Sequence, residues 1–150
     1  MFGLVSSVLA EKGKQVYTVE RGATVAEAVR QMNEKGVGAL LVVDHAKAVG
    51  IFTERDVLRR IVDADRDPAL VHVAEVMTRE LVTITAETRL EEAMAVMTER
   101  RFRHLPVMEA GEIIGMVSSG DLMRWVTINQ EEYIRQVQEY ITGAAAVLDV

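Results

Sequence analysis

A chain of 150 residues, 49% of them hydrophobic, is long enough to bury one compact core or two small modules sharing one, which argues against disorder. A formal net charge of −6 argues against a broad nucleic-acid surface, which needs clustered Lys and Arg, but leaves room for a basic pocket around one small phosphate. With no cysteine and only His45, His72 and His104, the sequence assembles neither a zinc cluster nor a disulfide frame nor a thiol nucleophile, and the cytoplasm is the default compartment.

In chain order, Met1 to Ala10 is apolar but lacks a basic leading region and meets Glu11 and Lys12, so it reads as a helix with Val5, Val8 and Leu9 on one face. Val16 to Val19 reads as a strand. A Thr24-x-x-Glu27 capping box then opens a helix whose apolar face is Val25, Ala28, Val29 and Met32, ended by Gly36 and Gly38. Ala39 to Val43 and Ala48 to Phe52 are expected strands around an Asp44-His45-Ala46 turn, followed by a helix over Glu54 to Val62.

The charged, Pro68-bearing stretch from Asp63 to Thr78 reads as a linker crossing the surface, with a short turn at Val76-Met77. From Leu81 to Val126 the same order of elements returns, the first helix now capped by Thr88-x-x-Glu91. Asn129-x-x-Glu132 is expected to cap a trailing helix bearing Ile134, Val137 and Ile141, closed by Gly143. No uninterrupted apolar run approaches the roughly 18 residues of a membrane span.

The return is a true internal repeat. At an offset of 65, residues 18–61 align with 83–126 without a gap, and ten of the 44 pairs are identical, among them Thr18/Thr83, Met32/Met97, Gly50/Gly115, Asp56/Asp121 and Arg59/Arg124. Each copy has the pattern βαββα, giving an α/β (α+β) fold of two tandem modules. The expected boundaries are an N-terminal helix over 1–15, modules over 16–63 and 79–127, a linker over 64–78, and a C-terminal helix and tail over 128–150.

The chemistry sits at a repeated strand-to-helix junction, Gly50-Ile51-Phe52-Thr53-Glu54-Arg55-Asp56 and Gly115-Met116-Val117-Ser118-Ser119-Gly120-Asp121. Unpartnered N–H groups and the helix dipole favour a phosphate there, with Thr53 or Ser118 adding a hydroxyl. One turn later the Asp can accept both hydrogen bonds of a ribose diol. The competing reading is that Thr-x-x-Asp and Ser-x-x-Asp are plain helix caps, which a single copy on its own would favour.

Duplicated in one frame, the pattern resembles the CBS domain, named after cystathionine β-synthase, over about residues 15–127, and the two copies resemble that family's modules packed as a pseudo-twofold pair. The flanking helices resemble those of stand-alone bacterial CBS-pair proteins. The resemblance implies adenosine-binding motifs at Thr53 with Asp56 and Ser118 with Asp121, in a cleft between the modules. It also sets Thr18 near the Ser118/Asp121 site and Thr83 near the Thr53/Asp56 site, with adenine between apolar walls that include Ile51 or Met116. Arg103-His104-Leu105-Pro106 occupies the strand entrance where a basic residue of related pairs approaches the phosphate; Arg103, His104 and Pro106 are therefore candidates. Copy one has Gly38-Ala39-Leu40-Leu41 there, so Arg55 is the candidate cation of the first site, and the Asp121 site is favoured.

The expected function is a sensor for an adenine nucleotide, AMP foremost, with ATP, NAD(H) and S-adenosylmethionine left open because all share adenosine. A homodimer or an unidentified regulated protein would read the occupancy. No nucleophile beside a base, Gly-x-x-x-x-Gly-Lys loop or metal cluster points to an enzyme, and neither nucleic acid nor membrane is an expected partner. The alternative is a structural or interaction module. His104 reads as a strand residue without metal, Met32, Met94, Met97 and Met123 as packing, and Trp125 as either a dimer contact or a core anchor.

Overall fold

The computed structural model describes the backbone of residues 3–148, and the side chains of these except 133, 136, 137 and 144–148. The expected contribution of Val137 and the first two residues of the leading segment thus lie outside the described residues. The chain divides into two compact units, one made of Met1–Gly13, Ile84–Leu105 and Val117–Val150, the other of Lys14–Thr83 and Pro106–Met116.

In the second of these units, β1 (Thr18–Glu20) runs parallel to β2 (Ala39–Asp44), which pairs antiparallel with β3 (Lys47–Thr53). Between β1 and β2 lies α2 (Val25–Lys35), so that a helix makes the parallel crossover. The Thr24/Glu27 capping box forms as read, each side chain accepting the other residue's backbone N–H, and Gly36 closes the helix in the left-handed region at φ 66°.

β2 is buried on both faces, which is why it reads as an unbroken apolar run. Its alternation sends Leu40 and Val42 into a core with Val25, Ala28, Met32 and Phe52. Ala39, Leu41 and Val43 face the other way, into a second cluster with Ile51 and Met116. The β2–β3 connection has His45 and Ala46 at φ 50° and 69°, and copy two repeats it with Ala110 and Gly111 at 50° and 81°, as a two-residue hairpin between twisted strands requires.

Two expectations for this unit are corrected. Glu54 to Val62 is not one α-helix: α3 (Glu54–Val57) passes into a π-helical turn over Leu58–Val62, in which Asp63 N–H reaches Leu58 C=O. Nor does the linker merely cross the surface. Val71, Val73, Val76 and Met77 enter the first core, the last stretch as α4 (Val73–Val76) and the residue after it. The linker also accepts the N–H groups that α2 leaves unpaired, Val25 N–H bonding Val71 C=O and Ala26 N–H bonding Pro68 C=O.

The other unit holds α1 (Val5–Lys12), with Val5, Val8 and Leu9 buried as read, and β4 (Ile84–Thr85) and α5 (Leu90–Arg100). β5 (His104–Glu109) begins there, β6 (Glu112–Ser118) ends there, and α6 (Ser119–Leu148) follows; the second sheet has the order β4-β5-β6. The expected Thr88/Glu91 capping box is absent. Thr88 Oγ1 instead accepts Thr85 N–H at 3.0 Å, the helix starts after Arg89, and Leu90 N–H is satisfied by Gly3 C=O. The trailing helix is likewise not separate: α6 runs through Asn129, whose amide donates to Trp125 C=O at 2.8 Å, and through Gly143.

A second register of the repeat now becomes visible. At an offset of 68, Val5-Ser6-Ser7-Val8-Leu9 matches Val73-Ala74-Glu75-Val76-Met77. Leu4 bridges Arg89 just as His72 bridges Thr24, so α1 and α4 play equivalent parts in the two units. The ring of Trp125 packs against Gly3, which makes it an anchor of the leading segment.

Candidate functional site

The copy-one corner forms where β3 becomes α3. Thr53 is the N-cap, and its hydroxyl accepts Asp56 N–H while Asp56 Oδ2 accepts Thr53 N–H at 3.0 Å. Asp56 is only 5% exposed. A carboxylate removed from water must collect hydrogen bonds, and this one collects them from elsewhere in the chain: Thr78 Oγ1 donates to Oδ1 at 3.2 Å, and Arg60 Nε stands 3.8 Å away. Arg60 Nη1 also donates to the carbonyls of Val76 and Met77, closing the end of α4.

Thr78 is positioned by a reciprocal backbone pair with Ile51, at 2.9 and 2.8 Å. That pair brings the chain so close to Gly50 that a Cβ there would stand 2.8 Å from Thr78 O and 2.7 Å from Met77 Sδ. The glycine of the motif therefore has a packing reason of its own in copy one.

Burial pushes the Asp56 carboxyl above its ordinary 3.8, against the opposing pull of Thr53 N–H, Arg60 and Thr78. Because the folded protein holds the proton more tightly than the unfolded chain, stability contributed by Asp56 falls as pH rises from about 3.8 through the raised value. Asp56→Asn relieves that penalty, so its stability relative to wild type improves between pH 4 and 7 in urea unfolding. Asp56→Ala strands Thr53 N–H and loses about 1–3 kcal/mol at either pH. A pH-independent difference between Asp56→Asn and wild type would contradict this account.

The copy-two corner, between β6 and α6, has the same backbone but a different occupant. Ser118 Oγ accepts Asp121 N–H at 3.1 Å and Asp121 Oδ2 accepts Ser118 N–H at 2.8 Å. The second partner of Oδ2 is Lys12 Nζ at 2.6 Å, and the Asp121 side chain is 25% exposed. Burial pushes this carboxyl up, but the Lys12 ammonium and Ser118 N–H outweigh it and leave it below 3.8. Its stabilising contribution is thus present above the ordinary value and is lost as pH falls through the lower one.

The strand entrances are also equivalent in backbone and opposite in charge. Glu54 N–H bonds Gly38 C=O, and Ser119 N–H bonds Arg103 C=O. In copy one the Glu54 carboxylate stands over Gly38; in copy two the entrance residue is the exposed cation Arg103.

The remaining candidates fall as follows. Ile51 and Met116, equivalent in the repeat, are both 7% exposed and lie in one cluster with Leu41 and Val43. Thr18 is exposed at the start of β1, its carbonyl accepting the Gln31 amide at 2.9 Å, and Thr83 is half-buried immediately before β4. Arg55 is half-buried in α3, while on β5 His104 is half-buried and Pro106 buried. Reading the sequence missed Thr78, Arg60 and Lys12 as partners of the two carboxylates. No repeat register signals them: at an offset of 68, Lys12 aligns with Glu80 and Thr78 with Ala10. Among the described residues, no group of three or more His, Cys, Asp or Glu converges on a metal position, and no helix is long and apolar enough to cross a membrane.

Two βαββα copies, each ending in a hydroxyl-plus-carboxylate corner, define a duplicated binding module. The chain belongs to the CBS domain family, whose model matches residues 6–63 and 73–128. It is 38% identical over 148 residues to the mitochondrial CBS domain-containing protein CBSX3 of Arabidopsis thaliana, covering 93% of this chain and 72% of that protein. A CBS-domain protein from Burkholderia ambifaria MC40-6 superposes with a TM-score of 0.82 at 40% identity, over 85% of this chain and 96% of that one. The hexameric CBS-CP12 protein from bloom-forming cyanobacteria gives a TM-score of 0.73 at 27% identity, over 82% and 67%. CBS pairs are in general regulatory, ligand-binding modules.

Proposed function

We propose that this CBS pair is a regulatory module that binds an adenosyl ligand, AMP first among ATP, NAD(H) and S-adenosylmethionine, at the Ser118/Asp121 corner. The observation that carries the reading is the partly exposed Asp121 carboxylate, folded back on Ser118 N–H at the head of a 30-residue helix. Such an acceptor suits a ribose diol, and the helix dipole with Arg103 at the strand entrance suits its phosphate. Thermal unfolding with AMP, ATP, NADH and S-adenosylmethionine tests it. A midpoint that climbs with ligand concentration supports the reading, and an unmoved midpoint with all four contradicts it.

At the Thr53/Asp56 corner the internal bonds favour the second reading, a structural cap. The buried Asp56 already accepts hydrogen bonds from Thr53 and Thr78, and Glu54 adds a negative charge at the entrance.

We also infer a homodimer that transmits occupancy to a regulated protein. Leu58 and Met123, equivalent in the repeat, are 63% and 61% exposed, and α6 carries Ile134 and Ile141 in the open. Apolar faces of this kind suit a twofold contact, and the cyanobacterial relative is a hexamer. Sedimentation at micromolar concentration is expected to give twice the 16.6 kDa chain mass; monomer alone would contradict it.

A further inference from the structure

We propose that Lys12 is an internal latch on the Asp121 corner, a competitor carried by the chain itself that any diol must displace. The inference rests on the reading of Asp121 as the ligand's carboxylate and adds how that site is regulated.

The geometry makes the two occupants incompatible. Lys12 Nζ sits 2.6 Å from Asp121 Oδ2, the same oxygen that accepts Ser118 N–H. A diol bound through both of its hydroxyls needs both carboxylate oxygens, Oδ2 included, and two donors already approach that atom. An ammonium at this distance also neutralises the charge that makes the acceptor strong.

The latch is built to open. Lys12 is the last residue of α1, followed by Gly13 at φ 96°, and its side chain is 36% exposed. The ammonium can swing into water while Val5, Val8 and Leu9 stay buried. Its hold is modest, because ion pairs at such exposure are worth little and weaken with salt. Occupancy of the corner is thereby linked to the end of α1: a ligand releases Lys12, and whatever draws Lys12 away raises affinity for the ligand, since coupling is reciprocal.

The test compares adenosine, which has the diol but no phosphate, on wild type, Lys12→Met and Lys12→Arg by calorimetry at low salt. Loss of the ammonium is expected to tighten adenosine by about two- to fivefold, with Lys12→Arg behaving as wild type. The advantage of Lys12→Met should shrink as salt is added. Unchanged or weaker adenosine binding by Lys12→Met overturns the latch, weaker binding marking Lys12 as a contact to the ligand instead. Carboxyl NMR of the ligand-free proteins supplies an independent arm, in which the Asp121 titration moves up in Lys12→Met. A titration that stays put means the pair is not made in solution and also overturns the latch. Adenosine and AMP both failing to bind any of the three proteins, with the titration shift intact, overturns the nucleotide reading and the competition with it.

Discussion

Asp121→Ala is expected to bind AMP about ten- to a hundredfold more weakly than wild type, the loss that follows from removing a charged acceptor worth about 1.5–3 kcal/mol. At a ligand concentration a hundred times the wild-type dissociation constant, wild type gains about 2.7 kcal/mol of stability, and the variant gains about 0.4–1.4 kcal/mol. For a chain of this size the difference is a thermal shift of several degrees. Removing the Asp121 carboxylate also strands Ser118 N–H at the start of α6, so the quantity to compare is the shift on adding AMP, not the starting midpoint. Asp56→Ala is expected to lower the starting midpoint and leave the AMP shift largely in place, because its carboxylate is already committed to Thr53 and Thr78. The reverse pattern would move the ligand to the copy-one corner.

Gly50→Ala carries the second large effect, a loss of about 1–3 kcal/mol in urea unfolding. The added methyl would stand 2.7 Å from Met77 Sδ and 2.8 Å from Thr78 O. Met77 can rotate away, but the Thr78 carbonyl is held by Ile51 N–H at 2.9 Å, so relief requires opening the bridge between Ile51 and Thr78. Displacing Thr78 also draws its hydroxyl from Asp56, which leaves a buried carboxylate short of a donor. An unfolding midpoint equal to that of wild type would show that the bridge is not held as described.

What the sequence made legible was the local and the periodic. The Thr24/Glu27 box, the buried stripe of α2 and the hairpin turn at His45-Ala46 are settled within a few residues by capping and backbone preference, and they stand as read. The offset-65 repeat exposed both corners because gapless duplication preserves register. Contacts made at long range were not legible. Thr78 reaches Asp56 across 22 residues and Lys12 reaches Asp121 across 109, and neither separation is encoded in a short pattern. The Thr88/Glu91 box failed for a related reason: Gly3 C=O supplies the partner that Leu90 N–H needs, so the helix begins without the local cap. The linker was misjudged because its charges cluster at its start, at Asp63, Asp65, Arg66 and Asp67, while the apolar residues that enter the core, Val71, Val73, Val76 and Met77, come after Pro68. A shift of three residues between the two registers hid the likeness of α1 and α4.

The sharpest test is to titrate wild type and Asp121→Ala with AMP and with its 2′,3′-dideoxy analogue. If the carboxylate grips the sugar hydroxyls, wild type prefers AMP by about tenfold or more and Asp121→Ala loses that preference. Equal affinity of wild type for the two nucleotides, or a preference that survives in Asp121→Ala, would mean that Asp121 serves only to start its helix.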